Sequence, residues 1–187
     1  MYEELRDVQP DLSKLGDMGE VPSAKSVMKG GYDFNGFRPT RVQLGIFQEI
    51  MRRPWVSRAM IILPRRTGKT TFAIVSMILM SLKKAETTEF PYLRYGIVYP
   101  DLVQAKEVAW EDLLKWSSGI PNRKVLKNTG VVEATVSNKL GRPCKIIYRL
   151  IGLKNMEGRR GGFYDGLMLD ERKDIPSSFK PVINPNK

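Results

Sequence analysis

Two stretches of this 187-residue sequence carry side chains that could handle phosphate. The first, "IILPRRTGKTTFAIV" at residues 61 to 75, leaves an apolar segment, reaches Gly68, Lys69 and Thr70, and enters a second apolar segment. Phosphate binding needs backbone N–H groups converging on an anion at a helix N-terminus, where the helix dipole is positive. In such a loop a glycine lets the backbone approach closely, a lysine reaches the β and γ phosphates, and a threonine hydroxyl ligates magnesium. The strict pattern wants glycine where Leu63 stands; Pro64, with its fixed φ, is the candidate for setting the turn instead. The second stretch is "GLMLDE" at residues 166 to 171. An apolar strand ending in two acids puts Asp170 at the carboxyl edge of a sheet, where open α/β folds bind ligands. There Asp170 would hold the metal and Glu171 would orient and polarise an attacking water, a pairing that favours hydrolysis.

Composition narrows the chemistry. There is no histidine, which excludes Ser-His-Asp catalysis, cysteine–histidine nucleophiles and histidine metal sites. The single cysteine, Cys144, allows no internal disulfide and suits a reducing cytoplasm, with a buried hydrophobic role expected for it. No apolar run is long enough to cross a membrane, and the acidic start "MYEELRDVQPDL" is no secretory signal. With 31 basic against 20 acidic residues the net charge is +11, which favours a polyanionic partner such as nucleic acid. No zinc finger, basic zipper or other base-reading motif is present, so contact with DNA is expected to be blind to sequence.

The elements that must position these residues follow from periodicity. Residues 1 to 36 read as an arm, and 37 to 187 as one α/β domain. "RVQLGIFQEIMRR" has Val42, Ile46, Phe47 and Ile50 at helical spacing and stops before Pro54. "AMIIL" at 59 to 63 predicts a buried strand leading into the loop, and "TTFAIVSMILMSLKKA" a helix buried nearly all round. "RYGIVYP" predicts a second buried strand, followed by an amphipathic helix with Asp101 as N-cap. "VVEATVS", the turn "NKLG" and "CKIIYRLIGL" form a hairpin pattern, and "DGLMLDE" the last strand. This order predicts a mainly parallel sheet flanked by helices.

These segments resemble the large terminase subunits, the genome-packaging motors of tailed bacteriophages and related viruses. Arg-Arg-x-Gly-Lys-Thr without the first glycine is similar to their deviant Walker A motif. "RPTRVQLGIFQ" resembles their adenine-binding Q motif, with Gln43 the better match and Gln48 the reserve. "IGLKNMEGRRGGFYDGLMLDE" resembles their hairpin, Arg-Gly turn and Walker B. The resemblance covers about residues 37 to 183 and implies a P-loop NTPase of the RecA-like class that uses ATP and Mg2+. It implies that Gln43, Pro64, Arg65, Arg66, Thr67, Gly68, Lys69, Thr70 and Thr71 bind ATP, that Thr70 and Asp170 hold the metal, and that Glu171, Arg66 and Arg160 are catalytic. Arg160 matches a trans-acting arginine finger, with Arg159 open as the alternative. The implied partners are double-stranded DNA, a portal protein on a procapsid, a small terminase subunit and further copies in a ring, in the host cell cytoplasm. The family's coupling motif and nuclease domain do not appear before the sequence closes on "PVINPNK". A superfamily 2 helicase core shares the Q motif and the Asp-Glu pair, but shows two glycines in the loop and a second lobe. A non-enzymatic phosphate clamp would leave two acids beside phosphate without a metal to justify them.

Overall fold

The computed structural model describes residues 36–52, 60–64, 66–153 and 163–170. Helix α1 (Arg41–Arg52) opens with a reciprocal cap. The Gln43 backbone N–H donates to Thr40 Oγ1 at 3.3 Å, and the Gln43 side-chain oxygen accepts from the Thr40 N–H at 2.9 Å. Thr-x-x-Gln is the sequence signature of this capping box. The face that α1 buries is Gln43 and Phe47, with Ile46 half-buried. Val42, expected on that face, is 62% exposed. It lies one residue, about 100° of helix, off the buried Gln43–Phe47 line.

Helix α2 (Lys69–Thr87) is the centre of the domain. Phe72, Ile74, Val75, Ile78 and Leu82 are all buried, and each such side chain contributes roughly 1.5–3 kcal/mol through removal from water. Lys84 in its last turn meets the negative end of the helix dipole and pairs with the buried carboxylate of Asp165 at 3.6 Å. Strand β1 (Tyr92–Tyr99) follows, then helix α3 (Leu102–Ser117). Asp101 caps α3 as expected, its Oδ1 accepting from the Gln104 N–H at 2.9 Å. The Thr71 hydroxyl donates to Asp112 at 2.6 Å and ties α2 to α3.

Strands β2 (Lys124–Leu126), β3 (Val131–Ser137), β4 (Pro143–Gly152) and β5 (Gly166–Leu169) complete a five-stranded sheet in the order β2-β3-β4-β1-β5. β4, β1 and β5 run parallel, and β3–β4 is the expected antiparallel hairpin. The three-residue β2, too short to leave a periodic signature, adds an antiparallel edge. The α/β class with helices against a mostly parallel sheet is therefore present. Cys144 is fully buried. Tyr95 and Tyr148 stack across β1 and β4, and burial pushes both phenols well above the ordinary tyrosine range, so they remain hydroxyls at any working pH.

One expected element, the strand at 59 to 63, is not seen among its described residues. Residues 60–63 pair with no strand among the described residues, and Met60 and Ile62 are each 82% exposed. An apolar run gives the segment its extended preference, but a strand also needs a neighbour to accept its ladder. No described strand pairs with this segment, so its backbone has no ladder there.

Candidate active site

The loop before α2 turns on two left-handed residues. Arg66 has φ 62° and Gly68 has φ 68°. Glycine adopts this conformation without steric cost, whereas an arginine there costs on the order of 1 kcal/mol or more. Such strain outside glycine collects where a ligand clamp needs a particular backbone path. The turn is also closed by Thr67, whose hydroxyl donates to the Pro64 carbonyl at 2.8 Å. The first helical bond of α2 then runs from the Phe72 N–H to the Gly68 carbonyl at 2.9 Å.

Gln43 joins α1 to this loop. Its side-chain nitrogen donates to the Thr67 carbonyl at 3.0 Å while its oxygen caps α1. Gln48, by contrast, is exposed on the other side of the helix. The Lys69 ammonium reaches back along the loop to the Leu63 carbonyl at 3.2 Å, a contact that a triphosphate would have to displace to gain that charge. Thr71 faces Asp112 instead of the loop, a position its motif neighbours did not announce.

The two halves of the motif meet at Thr70. Its hydroxyl donates to Asp170 Oδ2 at 2.6 Å, bridging the first turn of α2 to the residue that follows β5. Asp170 is itself held to the sheet by its N–H, which reaches the Val98 carbonyl at 3.4 Å. The same Oδ2 accepts a second hydroxyl, from Tyr99 at 2.8 Å. Tyr99 is the last residue of β1 and is fully buried. The sequence marked Tyr99 only as a strand residue before Pro100. A phenol at the carboxyl end of a central strand, where ligands of open sheets gather, was the signal available. Gly152, at the end of β4 opposite Tyr99, keeps this edge tight. A Cβ there would come within 2.4 Å of the Leu102 backbone nitrogen, so only glycine lets β4 close against the start of α3.

A hydroxyl and a carboxylate on one oxygen-rich corner suit magnesium, which is held by one or two carboxylates together with phosphate and water. Among the described residues no group of three or more His, Cys, Asp or Glu side chains is placed to cage a metal. Arg65, Arg159, Arg160 and Glu171 lie outside the described residues.

By sequence, no protein-family profile and no curated protein matches this chain. By structure, it is similar to the large terminase of a thermophilic bacteriophage, with a TM-score of 0.58 and 17% identity over 76% of this chain. It is also similar to the large terminase ATPase domain of Thermus phage P74-26, with a TM-score of 0.51 and 18% identity over 83% of this chain. The fold is that of large terminase ATPase domains. The chain spans 34% of the first of these terminases and 60% of the second. Among the described residues no helix is long and apolar enough to cross a membrane.

Proposed function

We propose that this chain is the ATPase motor part of a large terminase, hydrolysing ATP with Mg2+ to drive double-stranded viral DNA into a procapsid. The observation that carries this reading is the 2.6 Å bond between Thr70 and Asp170, made at the head of a buried helix in a terminase-like fold. In this reading the α2 N-terminus and Lys69 receive the phosphates, and Gln43 receives the adenine. Thr70 and Asp170 would hold the metal, which would offset the negative charge of the triphosphate. Glu171 orients the attacking water, and Arg65 and Arg66 flank the triphosphate. The partners are duplex DNA, the portal of a procapsid, a small terminase subunit and further copies of the chain in a ring, within the host cytoplasm. The superfamily 2 helicase reading is not favoured, since the structural likeness falls on terminases.

The direct test is ATP turnover by the purified chain with and without magnesium and duplex DNA, with DNA affinity followed across salt. Hydrolysis is expected to require the metal. DNA affinity is expected to fall steeply with salt and to ignore sequence, because the excess of basic residues acts on phosphates. A salt-independent affinity, or a strong preference for one sequence, contradicts the DNA part; metal-free turnover contradicts the site.

Lys69→Ala is expected to lower ATP turnover by about a hundredfold, the size of effect seen when one preorganised electrostatic contact to a transition state is removed. Its only described side-chain bond is the one to the Leu63 carbonyl, so thermal stability changes little. Wild-type turnover from this variant contradicts the loop's role in phosphate binding.

A further inference from the structure

We propose that Tyr99 is a positioning residue for the metal site, holding the Asp170 carboxylate in the orientation that lets it and Thr70 share one cation. This rests on the nucleotide-site reading above and extends it to a residue outside the loop and outside the acidic strand end. A tyrosine in a fully buried position carries a cost unless its hydroxyl finds a partner, and phenylalanine fills nearly the same space without that demand. At position 99 the hydroxyl is present and is directed to Asp170 Oδ2 at 2.8 Å, the same oxygen that Thr70 engages at 2.6 Å.

The three groups come from three separate elements. Thr70 lies in the first turn of α2, Tyr99 at the carboxyl end of β1, and Asp170 directly after β5. A carboxylate on a strand end can rotate about its side-chain torsions, and one hydroxyl contact leaves it a hinge. Two hydroxyls from different directions on one oxygen fix its plane. Tyr99 does this from the carboxyl end of an interior strand, paired there with Gly152 of β4 and directly after the last residue of β1 that pairs with β5, so the donor is anchored on its own strand. Thr70 keeps its lone pairs while its proton is committed to Asp170, the arrangement a threonine needs to donate an oxygen to a cation. Groups that orient a metal ligand in this way affect metal affinity by about 10- to 100-fold when removed. Tyr99 touches neither phosphate nor water in this role; it acts through Asp170.

The experiment measures Mn2+ binding by electron paramagnetic resonance in the presence of ADP, with the wild-type chain, Tyr99→Phe and Tyr148→Phe. Tyr148 is the control because it is also a fully buried phenol with a hydroxyl partner, Ser81 at 2.5 Å, but lies in the interior of β4. Tyr99→Phe is expected to weaken Mn2+ about tenfold with ADP affinity in the absence of metal unchanged, whereas Tyr148→Phe lowers thermal stability and leaves Mn2+ affinity alone. Equal Mn2+ affinities in wild type and Tyr99→Phe, with both folded, overturn the proposal and leave the nucleotide site standing. Equal losses of Mn2+ affinity in the two variants reduce Tyr99 to fold support and also overturn it. A wild-type chain that binds ADP but no Mn2+ removes the metal site itself, and this inference with it.

Discussion

Asp170→Asn is expected to slow magnesium-supported ATP hydrolysis by about a thousandfold or more while leaving the domain folded. The amide keeps the shape of the carboxylate, and its oxygen can still accept from Thr70 and Tyr99, the two hydroxyls that now meet on Oδ2. Its backbone N–H keeps the bond to Val98. What disappears is one negative charge at the corner where the cation belongs. A loss of about 4 kcal/mol in transition-state stabilisation corresponds to three decades in rate, within the several kcal/mol that a bound cation supplies to a developing oxyanion. The diagnostic readouts are single-turnover hydrolysis at saturating ATP and a thermal melt. A variant that melts like wild type and turns over near the wild-type rate places Asp170 outside the metal site. A variant that does not fold shifts the test to Asp170→Glu, which keeps the charge but misplaces it; it is expected to recover metal binding only in part.

What the sequence disclosed here follows the range of its signals. The Gly-Lys-Thr turn, the buried helix after it and the Asp101 cap are all local, written within a few residues, and the structure has all three. Asp170 was legible because an apolar strand that ends on acids has only one edge of a parallel sheet to occupy. The contact that joins it to Thr70 spans the domain, and only the order of strands brings the two together. Tyr99 illustrates the opposite case. Within "RYGIVYP" it is one aromatic among several apolar residues, and nothing local separates a packing tyrosine from one whose hydroxyl is needed. Residues 60–63 misled, since their hydrophobicity reports a preference for burial while Met60 and Ile62 are exposed. The Thr40–Gln43 cap was written in the sequence as Thr-x-x-Gln, and it gives Gln43 a second task that the Q-motif resemblance alone did not suggest.

Mixing Arg160→Ala with Glu171→Gln protein is expected to restore ATP turnover that neither shows alone. Each variant removes a different half of a composite site. Glu171→Gln keeps the space of the glutamate and ATP binding, but an amide polarises water poorly, so hydrolysis stops. Arg160→Ala keeps its own loop, metal corner and Glu171, and lacks the cation that would offset charge as the γ-phosphoryl departs. Arg66 stands in the loop before α2, exposed and on a left-handed backbone. β4 ends at Gly152, level with Tyr99, and Asp165 donates its N–H to the Arg94 carbonyl near the far end of β1. Arg160 lies in sequence between these two points. An arginine supplied in trans is worth about a thousandfold or more in rate, so even sparse complementation stands well above background. In an equal mixture about a quarter of head-to-tail contacts present an intact Arg160 to an intact Glu171 in the correct order when both neighbours are variants. The measurement is steady-state turnover against mixing ratio, with assembly followed by light scattering. A maximum near equal proportions supports the trans role and explains why a free subunit would idle. A flat response from proteins that fold and co-assemble assigns Arg160 to its own subunit, and repeating the mixture with Arg159→Ala then decides between the two arginines.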